Sequence, residues 1–308
     1  MSVDRGGFSH YLSNFEEYDE KALGAGGFGC VVRARNKLDN VTYAIKKVQL
    51  EVDFSGSFDE VVREVLIMAR LDHPNLVRYY SSWLEAVSPG LVVIPDLYGG
   101  TEKKVDDYAI PMLFILQELC FGSLADILGP SLKDDKIWQI FKQLVEGLDY
   151  LHSKLVRHGD ISPGNIFLDE SKERVKYGDF GFSGEAGEDE RTLPQGEYPP
   201  TTPYCAPELR NGSKYTLKSD VYSLGMVLME MFAKFDDEDD EGFDRARAFD
   251  AYKKDGVLPP AIDELDETTR QLMTSMINVD SKERPSASSL LKMAPWEGKM
   301  VPEEGGEA

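Results

Sequence analysis

The stretch KSDVYSLGMVLMEMFAK (218–234) is apolar nearly all round at helical spacing. A helix of that kind must be covered on every side. It is too short and too interrupted to cross a bilayer, which takes about 20 apolar residues in a row. It therefore demands a layer of other helices around it. The chain supplies one in DDKIWQIFKQLVEGLDYLHS (134–153), where Ile137, Ile140, Phe141, Leu144, Leu148 and Leu151 mark one face. From there onward the pattern is mostly helical.

The first ~85 residues read differently, as strands broken by one helix. VTYAIKKV (41–48) alternates β-branched and aromatic residues with others, as a strand does. FDEVVREVLIMARL (58–71) is helical, with Val61, Val65 and Met68 on one stripe and Glu64 on or beside it. A carboxylate placed so needs a cation. Residues 86–111 carry three prolines and three glycines and read as an insertion between two strands. MLFILQEL (112–119) suits a buried strand. The expectation is an α+β chain with a small β-rich lobe and a larger helical lobe. Its divisions are an extension (1–14), an N-lobe (15–119, with insertion 86–111), a C-lobe (120–294) and a disordered acidic tail (295–308).

Composition narrows the function classes. The formal net charge of −21 repels nucleic acid and anionic membranes, so neither is expected as a direct partner. Two acidic runs, 185–190 and 236–241, read first as solvated loops and second as docking sites for a basic partner. The N-terminus lacks the apolar stretch of a signal peptide. Three scattered cysteines (Cys30, Cys120, Cys205) argue against a disulfide framework and fit a reducing, cytoplasmic setting. Four isolated histidines offer no zinc spacing.

Five polar residues and a glycine pattern carry the chemistry. GAGGFGCV places Gly24, Gly26 and Gly29 in G-x-G-x-x-G-x-V. A strand follows, not a helix, which disfavours a dinucleotide site of the βαβ kind. A glycine hairpin between strands can instead lie over phosphates. Lys46 comes seventeen residues after Gly29. It is either a solvated strand lysine, with Lys47 as its exposed neighbour, or a phosphate ligand on the Ala44 face, aimed by Glu64. In VRHGDISPGN (156–165), Asp160 and Asn165 are five apart; Asp179 opens DFG fourteen residues further on. Asp and Asn oxygens suit Mg²⁺, and a free Asp160 suits orienting or deprotonating a hydroxyl. APE (206–208), SD (219–220) and ERPSA with Arg284 follow.

In this order and at these spacings, the residues resemble the eukaryotic protein kinases over about residues 15–292. The resemblance implies the bilobal protein-kinase fold, with ATP and Mg²⁺ as cofactors. It implies that Gly24, Gly26 and Gly29 cover the phosphates and that Lys46 binds them, paired with Glu64. Asp160 would be the catalytic base, with Asn165 and Asp179 holding the metal. Val31, Ala44 and Phe167 would sandwich the adenine, and Glu118 to Cys120 would read its edge, with Gln117 at the gatekeeper position. Phe180 would set the active state, Glu208 would pair with Arg284, and Asp220 would brace the catalytic loop. Transfer of the γ-phosphoryl group to a protein hydroxyl then rests on positioning and charge neutralisation.

Two positions depart from the family pattern. H-R-D is His158-Gly159-Asp160 here, so the arginine that receives an activation-segment phosphate is missing. Catalysis is therefore expected not to depend strictly on such phosphorylation, with Thr192 and Thr201 still candidate modification sites. Ser162 stands where serine/threonine kinases carry a lysine that contacts the γ-phosphate, while Pro163 is kept. Pro200 replaces the glycine usual before Thr201.

The flanks YLSNFEEYDEKALGAGGFGCVVRARNKLDNVTYAIKKV and HPNLVRYYSSWLEA are similar to initiation-factor-2α kinases of the general-control, amino-acid-starvation type. That likeness implies initiation factor 2α as protein substrate, docking near GFDRARAFDAYKK, and an N-lobe homodimer. A Wee-like or unassigned serine/threonine kinase is the alternative within the class. A pseudokinase scaffold, supported by Gly159 and Ser162, is the alternative outside it.

Overall fold

The computed structural model describes residues 9–18, 22–26, 29–50, 57–87, 110–185, 203–210, 215–235, 243–293 and 296. Thr192, Thr201, both acidic runs except Glu185, most of the insertion and the last twelve residues lie outside them. The chain divides into two compact units, residues 1–71 with 77–120, and residues 72–76 with 121–308. Residues 72–76 thus belong with the second unit although they precede the strands that finish the first.

The first unit is built on one antiparallel sheet. After a short helix α1 (His10–Asn14) come β1 (Phe15–Glu17), β2 (Gly24–Gly26), β3 (Gly29–Asn36) and β4 (Thr42–Gln49). Then follow helix α2 (Ser57–Met68), β5 (Tyr79–Val87) and β6 (Ile110–Gln117). The strand order is β1-β3-β4-β6-β5, with β2 also paired on β3. The sheet buries both faces, which explains why β6 is a continuous apolar run rather than an alternating one. On one face Ile45, Phe114, Leu116 and Val32 pack with Tyr11 of α1 and Phe15. On the other, Val48, Leu50, Leu113 and Ile115 pack with Val65 of α2.

Helix α1 falls in the stretch read as an extension, yet it belongs to this core. Ser9 caps it by accepting from the Leu12 amide, and a Glu85 oxygen accepts from the Tyr11 amide at 3.1 Å. The Lys37 ammonium reaches the Leu12 carbonyl at 2.6 Å. Tyr11 stacks on Phe114 with ring centroids 4.9 Å apart. A helix of five residues has no stability of its own, so these tertiary contacts are what form it.

The second unit is helical. It comprises α3 (Asp134–Ser153), β7 (Val156–Arg157), β8 (Ile166–Leu168), β9 (Val175–Tyr177) and β10 (Gly184–Glu185). These are followed by α4 (Pro207–Arg210), α5 (Leu217–Ala233), α6 (Phe243–Asp255), α7 (Pro260–Asp263), α8 (Glu267–Met276) and α9 (Ala287–Lys292). Helix α5 is the buried axis: all but a few of its residues are inaccessible, including Asp220 and Glu230. It packs against α3, α7 and α8. Two short two-stranded sheets, β8–β9 and β7–β10, shape the loops beside it.

The segment expected to be a disordered tail, 295–308, contains a core residue at its one described position. Trp296 is buried, its ring centroid 5.5 Å from Phe141 and 6.1 Å from Trp138 on α3. Its indole N–H donates to the Leu291 carbonyl at 3.2 Å, which removes the cost of burying a polar edge. An aromatic close behind the last helix outweighs the acidic composition that follows it.

Candidate active site

In the first unit, β2 and β3 form the two sides of the glycine hairpin. Gly26 pairs with Gly29, and Gly24 with Val31. Gly29 has φ +117°, and a Cβ there would lie 2.1 Å from the Lys47 carbonyl oxygen, so no side chain fits. Gly24 has open space around it. Behind the hairpin, Val31 pairs with Lys46, and Ala44 pairs with Gln117 at the end of β6.

Lys46 is buried, and its ammonium lies 2.8 Å and 3.1 Å from the two Glu64 oxygens. The stripe position of Glu64 and the strand position of Lys46 bring them together across eighteen residues of sequence. Each needs the other, because a lone charge in this setting would be costly. Gln117 donates to the Met68 sulfur at 3.5 Å. Glu118 is tied back to the sheet: its amide donates to the Arg78 carbonyl at 2.8 Å, and its side chain accepts from the Arg78 amide at 3.2 Å. Cys120 is half-buried and unoxidised.

Lys47 departs from expectation. Read as the exposed neighbour of Lys46, it is 2% exposed. Period-two alternation puts it on the Ile45 face, and that face is covered by α1. Its ammonium bonds Glu17 at 2.7 Å and lies 4.7 Å from the centre of the Tyr11 ring, whose hydroxyl donates to the same Glu17 oxygen.

In the second unit, the loop after β7 holds Asp160 and Asn165 together. The Asn165 side-chain amide donates to the Asp160 carboxylate at 2.7 Å and to the Asp160 carbonyl at 2.9 Å. The Asn165 carbonyl in turn accepts from the Gly178 amide at 3.0 Å, which brings the residue before Asp179 into the same cluster. His158 is fully buried and joins both ends. Its Nδ1 accepts from the Asp160 amide at 3.3 Å, so its Nε2 carries the proton and donates to the Gly178 carbonyl at 3.1 Å. Burial pushes the Asp160 carboxyl above its usual range and the nearby Asp179 carboxylate adds to this, while His158 and the Asn165 amide oppose it. Asp179 sits in the left-handed region at φ 57°, an uncommon conformation for a side-chain-bearing residue and a mark of a constrained site. Phe180 is buried against His158, ring centroids 5.1 Å apart. Phe167 lies on β8, bridged to Ser123.

Asp220 of α5 supports this loop from below. Its carboxylate accepts from the amides of His158 (2.8 Å) and Gly159 (2.9 Å) and from His152 Nε2 (3.1 Å). Burial alone would raise its pKa; the His152 bond and charge, His158 and the Gly159 amide outweigh that and leave it lowered. Farther off, Arg284 grips Glu208 with two bonds of 2.7 Å, and Ser219 donates to the same carboxylate at 2.9 Å.

The structure thus groups the expected site residues as two sets, one in each unit. Several supporting residues escaped the sequence reading. His152 was legible only as a helix residue, Tyr11 and Glu17 as extension and strand, and Arg157 as the neighbour of a motif. Gly159 is the instructive one. It has φ +86°, and a Cβ there would lie 2.5 Å from the Phe182 carbonyl oxygen. As this backbone stands, a side chain at the position of the missing arginine would force the Phe182 carbonyl to move.

The family model for the protein kinase domain matches residues 18–296. The interferon-induced, double-stranded RNA-activated protein kinase of Rattus norvegicus is 32% identical, over 93% of this chain and 53% of its own length. The eIF-2-alpha kinase GCN2 of Arabidopsis thaliana is 33% identical, over 93% of this chain and 25% of its own. The serine/threonine-protein kinase Nek8 of Danio rerio is 29% identical, over 91% of this chain and 37% of its own. The chain spans between about a quarter and about half the length of these curated relatives. With most of its length matched, and with two units of the expected α+β make-up, the chain belongs to the protein kinase domain family.

Proposed function

We propose that the chain is an ATP- and Mg²⁺-dependent serine/threonine kinase and that initiation factor 2α is its substrate. The observation that carries the catalytic part is the Lys46–Glu64 pair. A buried ammonium fixed by two carboxylate oxygens is expensive as mere architecture and useful as a fixed point charge for phosphate. Asp160, Asn165 and Asp179 offer the oxygen donors that Mg²⁺ selects. Burial first, and the Asp179 charge after it, lift the Asp160 pKa, and the charge part is of the kind a divalent cation would offset.

In this reading the backbone of Gly24, Gly26 and Gly29 covers the phosphates and Lys46 holds the α- and β-phosphates. Val31, Ala44 and Phe167 take the adenine faces, with Gln117, Glu118 and Cys120 at its edge. Asn165 and Asp179 would hold the metal, which when bound would supply neutralisation of the phosphate charge. Asp160 orients the acceptor hydroxyl and takes its proton. The substrate assignment rests on the relatives' names and on the quoted flanks. Docking of that substrate belongs to α6, and back-to-back pairing to the first unit.

Incubation with Mg²⁺-ATP and initiation factor 2α, beside its serine-to-alanine version, tests this. Labelling of the first alone is expected, abolished in Lys46→Ala. Strong labelling of another protein and none of this factor would move the substrate to a Wee-like or unassigned kinase. Nucleotide binding without any transfer would make the chain a scaffold.

A further inference from the structure

The turn that carries Asp160 is held from one side by Asp220. On the other it meets the segment leading out of Asp179, and the link there is Arg157. This residue ends β7 and pairs with Gly184 of β10. Its Nη1 donates to the Phe182 carbonyl oxygen at 3.0 Å. Its guanidinium carbon lies 4.8 Å from the centre of the Tyr215 ring. Ser183 adds a bond from its hydroxyl to the His158 carbonyl at 3.0 Å.

Two glycines make the room this needs. A Cβ on Gly184 would lie 2.6 Å from Arg157 Nη2 and 2.9 Å from its Cζ. A Cβ on Gly159 would strike the Phe182 oxygen that Arg157 bonds. Tyr215 closes the circuit. Its ring lies against the guanidinium, and burial pushes its hydroxyl pKa up, so the ring stays neutral there.

We propose that Arg157 is a positioning residue for phosphoryl transfer: by clamping the Phe182 carbonyl and the Tyr215 ring, it holds the His158–Asp160 turn and the residues after Asp179 in one arrangement. No phosphate beyond Glu185 is needed for this. At Gly159 the family pattern would place an arginine waiting for an external anion. Here an arginine two residues upstream takes its acceptor from the chain itself. A guanidinium suits the place because one planar group can donate to a carbonyl and lie on an aromatic face together.

The kinetic half of the test rests on the kinase reading; the exchange half does not. Hydrogen exchange on the full chain without nucleotide should show the Gly159, Gly184 and Glu185 amides of Arg157→Ala exchanging roughly tenfold to a hundredfold faster, as loss of a charge-assisted bond implies. Amides of α8 should keep their parent rates. Gly184→Ala should speed the same amides in the parent and much less in the Arg157→Ala background, because the collision is with the guanidinium. Unchanged exchange in Arg157→Ala, or an equal Gly184→Ala effect in both backgrounds, overturns the proposal. If the alanine variant does not fold, Arg157→Gln serves for the same comparison.

In assays, Arg157→Ala should lose about tenfold or more in kcat with KM for ATP held within about twofold. Arg157→Lys should recover part of the loss, and phosphatase-treated parent should keep its rate. A rise in KM alone, or a parent rate that collapses on phosphatase treatment, counts against the clamp. Exchange as expected with no transfer by the parent leaves the clamp standing and removes the kinase reading.

Discussion

Putting a side chain at position 159 should damage the protein, although arginine there would restore the family motif. Gly159→Ala is the smaller perturbation. At φ +86° an L-residue costs about 1–2 kcal/mol in backbone strain alone. The new Cβ would lie 2.5 Å from the Phe182 oxygen, well inside ordinary contact, so that carbonyl must retreat. The same oxygen accepts from Arg157 at 3.0 Å. Losing that bond adds about 1.5–3 kcal/mol. The sum is roughly 3–5 kcal/mol, against a total stability of about 5–15 kcal/mol for a typical domain. At about 2–4 °C per kcal/mol for a unit near 200 residues, the Tm should fall by about 6–20 °C. Gly159→Arg should fall at least as far, since its Cβ meets the same obstacle before the rest of the side chain is placed. Scanning calorimetry checks the shift, and labelling assays check whether activity falls with it. A Gly159→Arg protein that melts with the parent and gains activity would refute the steric argument.

Removing Arg284 should be similarly severe. Arg284→Ala leaves the half-buried Glu208 without its two bonds and strips the guanidinium from the Tyr222 face, a loss of about 3–5 kcal/mol in urea titration. Glu208→Gln separates charge from shape. Burial would raise the Glu208 pKa, but the Arg284 bonds, its own backbone amide, the Arg284 charge and Ser219 lower it below 4.5. A depressed carboxylate stabilises the fold above its unfolded pKa and ceases to as the pH falls through the folded one. The stability gap between parent and Glu208→Gln should therefore be full at neutral pH and shrink below about pH 4.5; a gap that widens there would contradict it. Tyr11→Ala should cost about 3–5 kcal/mol by unfolding titration, as for other buried rings, because its ring covers Phe114 and the Lys47 ammonium. A neutral result would mean that α1 is not part of the core.

Where the sequence could be read, one element's pattern sufficed. Helix α3, residues 134–153, buries the face that its sequence marks from Ile137 to Leu151, and α5 is buried all round because it is apolar all round. Asp160 and Asn165 are near neighbours in a loop, so their meeting needs only a turn. The readings that failed needed a second element brought from elsewhere. Trp296 looks like tail until α3 offers its aromatic face. Gly159 looks like a lost function until the Phe182 carbonyl is placed against it.

The two lysines of β4 make the point as a matched pair. Lys46 and Lys47 are adjacent, both are inaccessible, and each has a carboxylate within 2.8 Å. Burial and ion pairing therefore do not separate a phosphate ligand from a structural cation. Alternation along the strand does, because it sends the two to opposite faces. Lys47 meets α1 and β1, where the Tyr11 ring and the Glu17 carboxylate contact it and Glu17 reaches solvent, 37% exposed. Lys46 meets α2, where Glu64 is itself only 4% exposed. A charge pair sealed on both members is poorly explained by stability, since apolar residues of similar size would serve as well or better. The proposed phosphate contact would use the sealed pair on the face shared with Ala44, while the partly solvated pair of its neighbour serves the packing of the first unit.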